Sequence, residues 1–71
     1  MILNQSQARA VYDAMAALNN VGGLMDVRFE DSRVTERKIG GIWVYESIAG
    51  DWEPAERFAD QHDFAATYGL A

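Results

Sequence analysis

Four carboxylates recur at helical spacing in the last third of the chain: Glu53, Glu56, Asp60 and Asp63. Their intervals of three, four and three residues would bring all four side chains to one side of an α-helix. At a rise of about 1.5 Å per residue, the stripe would be about 15 Å long. A row of like charges steers a partner of opposite sign, so the chemistry predicted is recognition of a basic surface.

Two aromatic residues and two further acids flank this stripe. Phe64 and Tyr68 fall beside the carboxylates on the same helix, and aromatic side chains are enriched in interface cores. The predicted partner-binding residues are Glu46, Asp51, Glu53, Glu56, Asp60, Asp63, Phe64 and Tyr68. A second interpretation stays open, in which the helix is rotated, Phe64 belongs to the core and the carboxylates are only solvated.

The residue types that carry catalysis or bind metals lack the necessary partners. His62 is the only histidine, and its helical position falls on the apolar side with Phe58 and Ala65, which predicts a partly buried structural residue. A metal would need further ligands at suitable spacing, and no serine or threonine has an obvious base partner. We therefore expect a non-enzymatic protein with no catalytic residue, metal or cofactor.

The charge is distributed unevenly along the chain. Residues 1–45 hold five acids and five bases, whereas residues 46–71 hold six acids and Arg57 as their only base. This balance disfavours direct nucleic-acid binding through the acidic part and favours a protein partner with a basic surface. The chain has no cysteine, no apolar run of membrane-spanning length and no signal peptide, so we expect a cytoplasmic protein without membrane contact.

A basic cluster precedes the two aromatic residues Trp43 and Tyr45. Its members are Arg28, Arg33, Arg37 and Lys38, and a sheet carrying such residues could stack single-stranded nucleic acid. The sequence interleaves these bases with the acids Asp26, Glu30, Asp31 and Glu36. Mutual salt bridging is therefore the default expectation for this region, and we expect the chain to make no direct contact with nucleic acid.

The elements that would position these residues follow from local patterns. Asn4 and Gln7 suggest a capping box opening a helix that runs to about Leu18, with an apolar stripe of Ala8, Val11, Tyr12, Met15 and Leu18. Strands are predicted over residues 24–30, 33–39 and 42–48, the last being central because both of its faces carry apolar side chains. A second helix is predicted from Pro54 to about Tyr68. Residues 1–71 thus form one α+β domain: helix, three-stranded antiparallel meander, helix, with both helices on one face of the sheet.

Glu46 has a special position in this scheme. It lies on the same side of the central strand as Val44 and Ile48. If that side is the core, Glu46 needs a basic partner from Arg33, Arg37 or Arg57, and it would be either a structural ion pair or a site residue.

A cysteine-free, acidic chain of this length and plan resembles the small anti-CRISPR and related anti-defence proteins of phages and mobile elements. The residues that carry the resemblance are the four carboxylates of the predicted stripe, with Glu46 and Asp51. The resemblance covers the character of the whole chain, and no functional residue is transferred from it. It implies an inhibitor that occupies the basic nucleic-acid channel of a host defence complex, such as a CRISPR effector, in the host-cell cytoplasm.

The alternative function is a structural or adaptor module that homodimerises through the Trp43/Tyr45 face of its sheet.

Overall fold

The computed structural model describes residues 1–70, which form two helices and one four-stranded antiparallel sheet. In chain order the elements are α1 (Gln5–Asn19), β1 (Asp26–Arg28), β2 (Ser32–Arg37), β3 (Gly41–Ile48), β4 (Asp51–Phe58) and α2 (Gln61–Tyr68). Each strand pairs with the next one along the chain, so the sheet is a meander with β1 and β4 at its edges. The α+β class is confirmed, and the prediction of only three strands is wrong.

Helix α1 begins where the sequence predicts. The Asn4 side chain accepts a hydrogen bond from the Gln7 backbone N–H at 2.8 Å, and the Gln7 side chain accepts one from the Asn4 N–H at 3.0 Å. This capping box satisfies two donors that a helix start otherwise leaves unpaired. The predicted stripe is buried at Ala8, Val11 and Met15, half-buried at Tyr12, and exposed at Leu18.

Strand β3 is central, as expected, and its two faces differ. Ile42 and Val44 are buried beside Val34 of β2, whereas Trp43 and Tyr45 lie on the opposite side. Ile48 does not join the buried side chains: it is half exposed, because it pairs with Asp51 next to the turn of the β3–β4 hairpin, at the end of the sheet. The two preceding strands are shorter than predicted, at residues 26–28 and 32–37.

The largest correction concerns residues 51–58, which form strand β4 instead of the first half of the second helix. Trp43 pairs with Arg57 and Tyr45 with Pro54, so β4 supplies the partner that the second edge of β3 needs for its backbone hydrogen bonds. The proline is tolerated because β4 is an edge strand. Since Glu53 and Glu56 are strand residues, the predicted helical stripe of carboxylates does not exist.

The core lies between the helices and one face of the sheet. Phe58 of β4 packs against Phe64 and Tyr68 of α2, with ring centroids 5.3 and 5.8 Å away. Phe64 is fully buried and Tyr68 is 3% exposed, so their predicted exposure beside an acidic stripe is wrong. The remaining buried apolar side chains that join this cluster are Leu3, Ala8, Val11, Met15, Met25, Val34, Ile42, Val44, Ala65 and Leu70.

The backbone of β3 at Gly41 lies so close to the end of β4 that a side chain does not fit there. Its φ is +87°, and a Cβ placed there would lie 2.2 Å from the Phe58 carbonyl oxygen. Gly50 has nearly the same φ, +86°, but nothing within 4 Å of its Cβ position. Gly50→Ala should therefore cost about 1–2 kcal/mol of unfolding free energy, from the left-handed backbone alone. Gly41→Ala should cost clearly more, because backbone atoms of β4 must move.

Urea unfolding of both variants measures this difference. Equal losses of unfolding free energy at the two positions would show that the close approach at Gly41 is absent in solution.

Candidate functional site

Glu56 points inwards and binds structural partners. Its Oε1 accepts hydrogen bonds from the Tyr68 hydroxyl at 2.5 Å and from the Ile2 backbone N–H at 3.1 Å. The Tyr68 oxygen in turn accepts a hydrogen bond from the Leu3 N–H at 3.4 Å. The predicted partner-binding residues Glu56 and Tyr68 are thus joined in a network that ties the N-terminal segment to β4 and α2. Phe64 packs beside this network with its ring centroid 4.9 Å from that of Tyr68.

Asp60 and Asp63 serve the start of α2. Asp60 is its N-cap, and its side chain accepts a hydrogen bond from the Asp63 N–H at 2.8 Å. The Asp63 carboxylate accepts one from the Ala59 N–H at 2.9 Å. Negative charge in the first turn also complements the helix dipole. Both side chains are exposed, but their geometry is accounted for by capping.

The other three predicted acids come together at one end of the sheet. Glu46 pairs directly with Glu53 across β3 and β4, and Asp51 begins β4 next to the hairpin turn. The β1–β2 turn lies at the same end, since the Ser47 N–H donates to the Asp31 carbonyl at 3.0 Å. We call this group the acidic end: Glu30, Asp31, Glu46, Asp51 and Glu53. The sequence predicts salt bridges for Glu30 and Asp31, because both acids lie among the bases of the neutral half.

The expected ion pair of Glu46 is wrong. Glu46 faces the helix-covered side of the sheet, whereas Arg33, Arg37 and Arg57 occupy positions of the opposite parity on their strands. Within residues 1–70 the structure contains one ion pair, between Arg33 and Asp26 at 2.8 Å. The hydrogen bonds from Arg33 hold the pKa of Asp26 below its usual value.

His62 is exposed on α2, so its predicted place on the buried side of that helix is also wrong. The helix begins at Gln61, seven residues later than predicted, and this changes which positions face the core. Among residues 1–70, no group of three or more His, Asp or Glu side chains is arranged to hold a metal ion.

The face of the sheet that points away from the helices carries a cluster that the sequence indicated only in part. We call it the open face, and its aromatic and charged members are Asp26, Arg28, Arg33, Arg37, Trp43, Tyr45, Trp52 and Arg57. The arginine guanidinium groups lie over the rings. Arg37 and Arg57 are 4.5 and 5.9 Å from the centroid of Trp43, and Arg28 is 5.7 Å from that of Trp52. Such cation–π contacts hold both groups in place.

Hydrogen bonds fix two of these arginines further. Arg37 donates to the Tyr45 hydroxyl, and the Arg57 Nε donates to the Gly40 carbonyl at 2.7 Å. The indole Nε1 of Trp43 is buried and has no hydrogen-bond partner. The Trp43 ring therefore stays at this position through its contacts with the two guanidinium groups and the sheet, without a hydrogen bond of its own.

A β-bulge brings Trp52 to the open face. The pairing passes from Val44–Glu56 to Tyr45–Pro54, which leaves Ala55 as an extra residue. In a regular strand without a bulge, the five-residue separation of Trp52 and Arg57 would place them on opposite faces of β4. With the bulge, both point away from the helices.

Strand alternation also separates the acids from the bases that the sequence interleaves. Arg33 and Arg37 project onto the open face, whereas Glu36 projects to the other side. There its carboxylate accepts hydrogen bonds from the Asn19 side chain at 2.9 Å and from the Met25 N–H at 3.0 Å. The open face consequently holds four arginines and one aspartate, while the rest of the sequence holds ten acids and two bases. The expected mutual salt bridging is confirmed for Arg33 and wrong for Arg28, Arg37 and Lys38, which form no ion pair within residues 1–70.

Sequence reasoning did not place Trp52 and Arg57 on this face, because Trp52 preceded a predicted helix and Arg57 fell in its first turns. The signal that could have found them is Gly50 two residues after Ile48, which is typical of a two-residue hairpin turn. In the structure Ala49 and Gly50 have φ values of +52° and +86°, as the hairpin requires.

Comparisons with protein-family models, with curated proteins and with solved structures found no match to this chain. Neither of the described helices is both long and apolar enough to span a membrane.

The Tyr68–Glu56 network predicts a specific pH dependence of stability. Burial, reinforced by the bond to Glu56, raises the pKa of Tyr68 to about 12. Because tyrosine in the unfolded chain ionises near pH 10, its contribution to the unfolding free energy should be full below pH 10 and should be lost between pH 10 and about 12. At pH 11.5 the loss should be about 2 kcal/mol.

Urea unfolding at pH 8 and pH 11.5 measures this loss. Tyr68→Phe should lack it, while Tyr12→Phe, which removes the hydroxyl of a half-buried tyrosine outside the network, should retain it. The same alkaline loss in Tyr68→Phe as in the wild type would assign the effect to other groups.

Proposed function

We propose that this protein is a non-enzymatic binding module whose open face docks onto a macromolecular partner with an anionic surface. The observation that carries this proposal is the set of four arginines and three aromatic rings on one sheet face that neither helix covers. Arginine, tryptophan and tyrosine are the residues most enriched in binding hot spots. Their guanidinium–ring contacts hold them in place before binding, which lowers the entropic cost of association.

The charge distribution supports an anionic partner. The protein has a net charge of −5, yet the open face has an excess of three positive charges. An approaching polyanion is attracted by this face and repelled by the rest of the surface, so it would be oriented before contact.

The same charges argue against the sheet-face homodimer. In a two-fold dimer the same patch of both subunits meets itself, so the open face, with its excess of three positive charges, would meet an equally positive face. Like charges brought together in an interface cost free energy. An anionic partner of different sequence fits the open face better than a second copy does.

A pair of matched variants tests the proposal. Arg57 and Arg9 each donate one hydrogen bond to a backbone carbonyl, and each lies 5.9 Å from a ring centroid, but only Arg57 is on the open face. At low salt, Arg57→Gln should weaken binding to a labelled heparin oligosaccharide about fivefold, because one exposed ion pair contributes up to about 1 kcal/mol. Arg9→Gln, with the same change in charge, should bind like the wild type.

Fluorescence anisotropy measures both affinities. The proposal fails if the wild-type protein does not bind the polyanion at low salt, or if both variants lose affinity equally.

The acidic end supports a second candidate function, which is the inhibitor predicted from the sequence. Here Glu46, Asp51 and Glu53 would contact the basic nucleic-acid channel of a defence complex, while Glu56, Phe64 and Tyr68 would act only in the fold. The specific observation is the direct cross-strand pairing of Glu46 with Glu53. Two like charges opposite each other destabilise a sheet, and a locally unfavourable choice of this kind is typical of functional sites.

Glu53→Gln tests this candidate. It should raise the unfolding free energy by about 0.2–1 kcal/mol and at the same time weaken binding to a polylysine peptide. Asp13→Asn, which removes an exposed acid of α1, should leave that affinity unchanged. Urea unfolding and calorimetric titration provide the two measurements. Unchanged polylysine affinity in Glu53→Gln would leave the acidic end without a binding role.

A further inference from the structure

We infer that the anionic partner of the open face is single-stranded nucleic acid, with its bases stacked on Trp43, Tyr45 and Trp52. This inference rests on the proposed function, because it names the partner of the same face. It differs from the expectation, drawn from the sequence, that the chain makes no direct contact with nucleic acid.

The spacing of the rings supports base stacking. Trp43 and Tyr45 are two residues apart on β3. Trp52 of β4 pairs with Ser47, which follows Tyr45 by two further residues on β3. At about 3.3 Å per residue, the three rings occupy successive levels about 6.6 Å apart, over a length of about 13 Å. Single-stranded nucleic acid binds to sheets in this way, with two or three exposed bases stacked on aromatic side chains of the sheet surface.

The arginines supply the complementary contacts to the sugar–phosphate backbone. The guanidinium groups of Arg37 and Arg57 lie over the Trp43 ring, and that of Arg28 lies over the Trp52 ring. Each of these two rings therefore has a positive charge within reach of a phosphate, and the guanidinium plane can itself stack on a base. An electropositive surface with interspersed stacking rings is the arrangement by which proteins bind single strands without reading their sequence.

The same pairing of rings with charges favours a single strand over two other polyanions. An acidic peptide would occupy the arginines but would present no flat π-system to the rings. A duplex exposes phosphates and base edges, but it keeps the flat faces of its bases stacked inside, where the rings cannot reach them. Only an unpaired strand uses both kinds of side chain on the open face.

The two tryptophans provide a direct readout, because they are the only ones in the chain and both lie on the open face. Unlabelled dT12, rU12, a G·C-rich 12-base-pair duplex closed as a hairpin and a 12-residue polyglutamate would each be titrated into the protein at low salt, with intrinsic fluorescence recorded. We expect dT12 or rU12 to quench the emission, and the duplex and polyglutamate to quench it little. A preference between dT12 and rU12 identifies DNA or RNA as the source of the strand.

The affinity of each variant is then measured by fluorescence anisotropy with a labelled form of the oligonucleotide that quenches the tryptophan emission. Trp52→Leu should weaken its binding by about 5- to 100-fold, the range for losing one stacked base, and should leave polyglutamate binding unchanged. Tyr12→Leu removes a half-buried ring from α1 and should leave both affinities unchanged. If Trp52→Leu does not fold, Ser47→Glu tests the same surface without removing a ring. It places a carboxylate among the rings at an exposed position and should weaken oligonucleotide binding, whereas the neutral Ser47→Gln should not.

The outcomes separate the inference from the proposed function. Polyglutamate or heparin binding without quenching by either oligonucleotide would overturn the inference and leave the proposed function standing. Equal affinity for duplex and single strand, or no effect of Trp52→Leu and Ser47→Glu, would also overturn it. Absence of binding to every polyanion would overturn both.

Discussion

The contact of Tyr68 with Glu56 and Phe58 is the interaction on which the rest of this structure depends. It fastens α2 to the inner side of β4, and through the Ile2 and Leu3 N–H groups it holds the start of the chain against the same strand. A domain of this size buries a small core, so one aromatic cluster that joins the N-terminal segment, the last strand and the last helix contributes a large share of its stability. Because this cluster gathers the buried side chains of both helices on one side, the other face of the sheet is left open.

Strand β4 couples that core to the candidate site. Along three consecutive residues its side chains alternate between the core and the open face: Glu56 inwards, Arg57 outwards and Phe58 inwards. The bulge at Ala55 then shifts the alternation by one residue, so that Trp52 is on the same face as Arg57. A change of register in β4 would therefore disturb the packing of Tyr68 and the composition of the open face together, which makes the two features inseparable.

Alternation also explains how an acidic chain acquires a basic surface. Bases and acids that are neighbours in sequence, such as Arg37 and Glu36, lie on opposite sides of the sheet, so their charges do not neutralise each other. The acids on the covered side find backbone and side-chain donors near the helices, or accumulate at the acidic end. The bases on the open side meet aromatic rings. Net charge along the sequence is thus a poor guide to the potential of any one face.

The sequence by itself determined α1, through the Asn4 cap and the spacing of Ala8, Val11 and Met15, and it determined the central strand, through its continuous β-branched and aromatic run. These are local signals, and their physical causes act within a few residues. It also indicated that Trp43, Tyr45 and three of the four arginines could form a binding surface on the sheet.

Only the tertiary structure decided that residues 51–58 are a strand. Their carboxylates have helical spacing, but as a strand these residues make backbone hydrogen bonds along β3 and bring Phe58 against Phe64 in the core, and these contacts outweigh local periodicity. As a consequence, Trp52 and Arg57 lie on the open face, since the face that a strand residue occupies depends on its register with the partner strand and on bulges such as the one at Ala55.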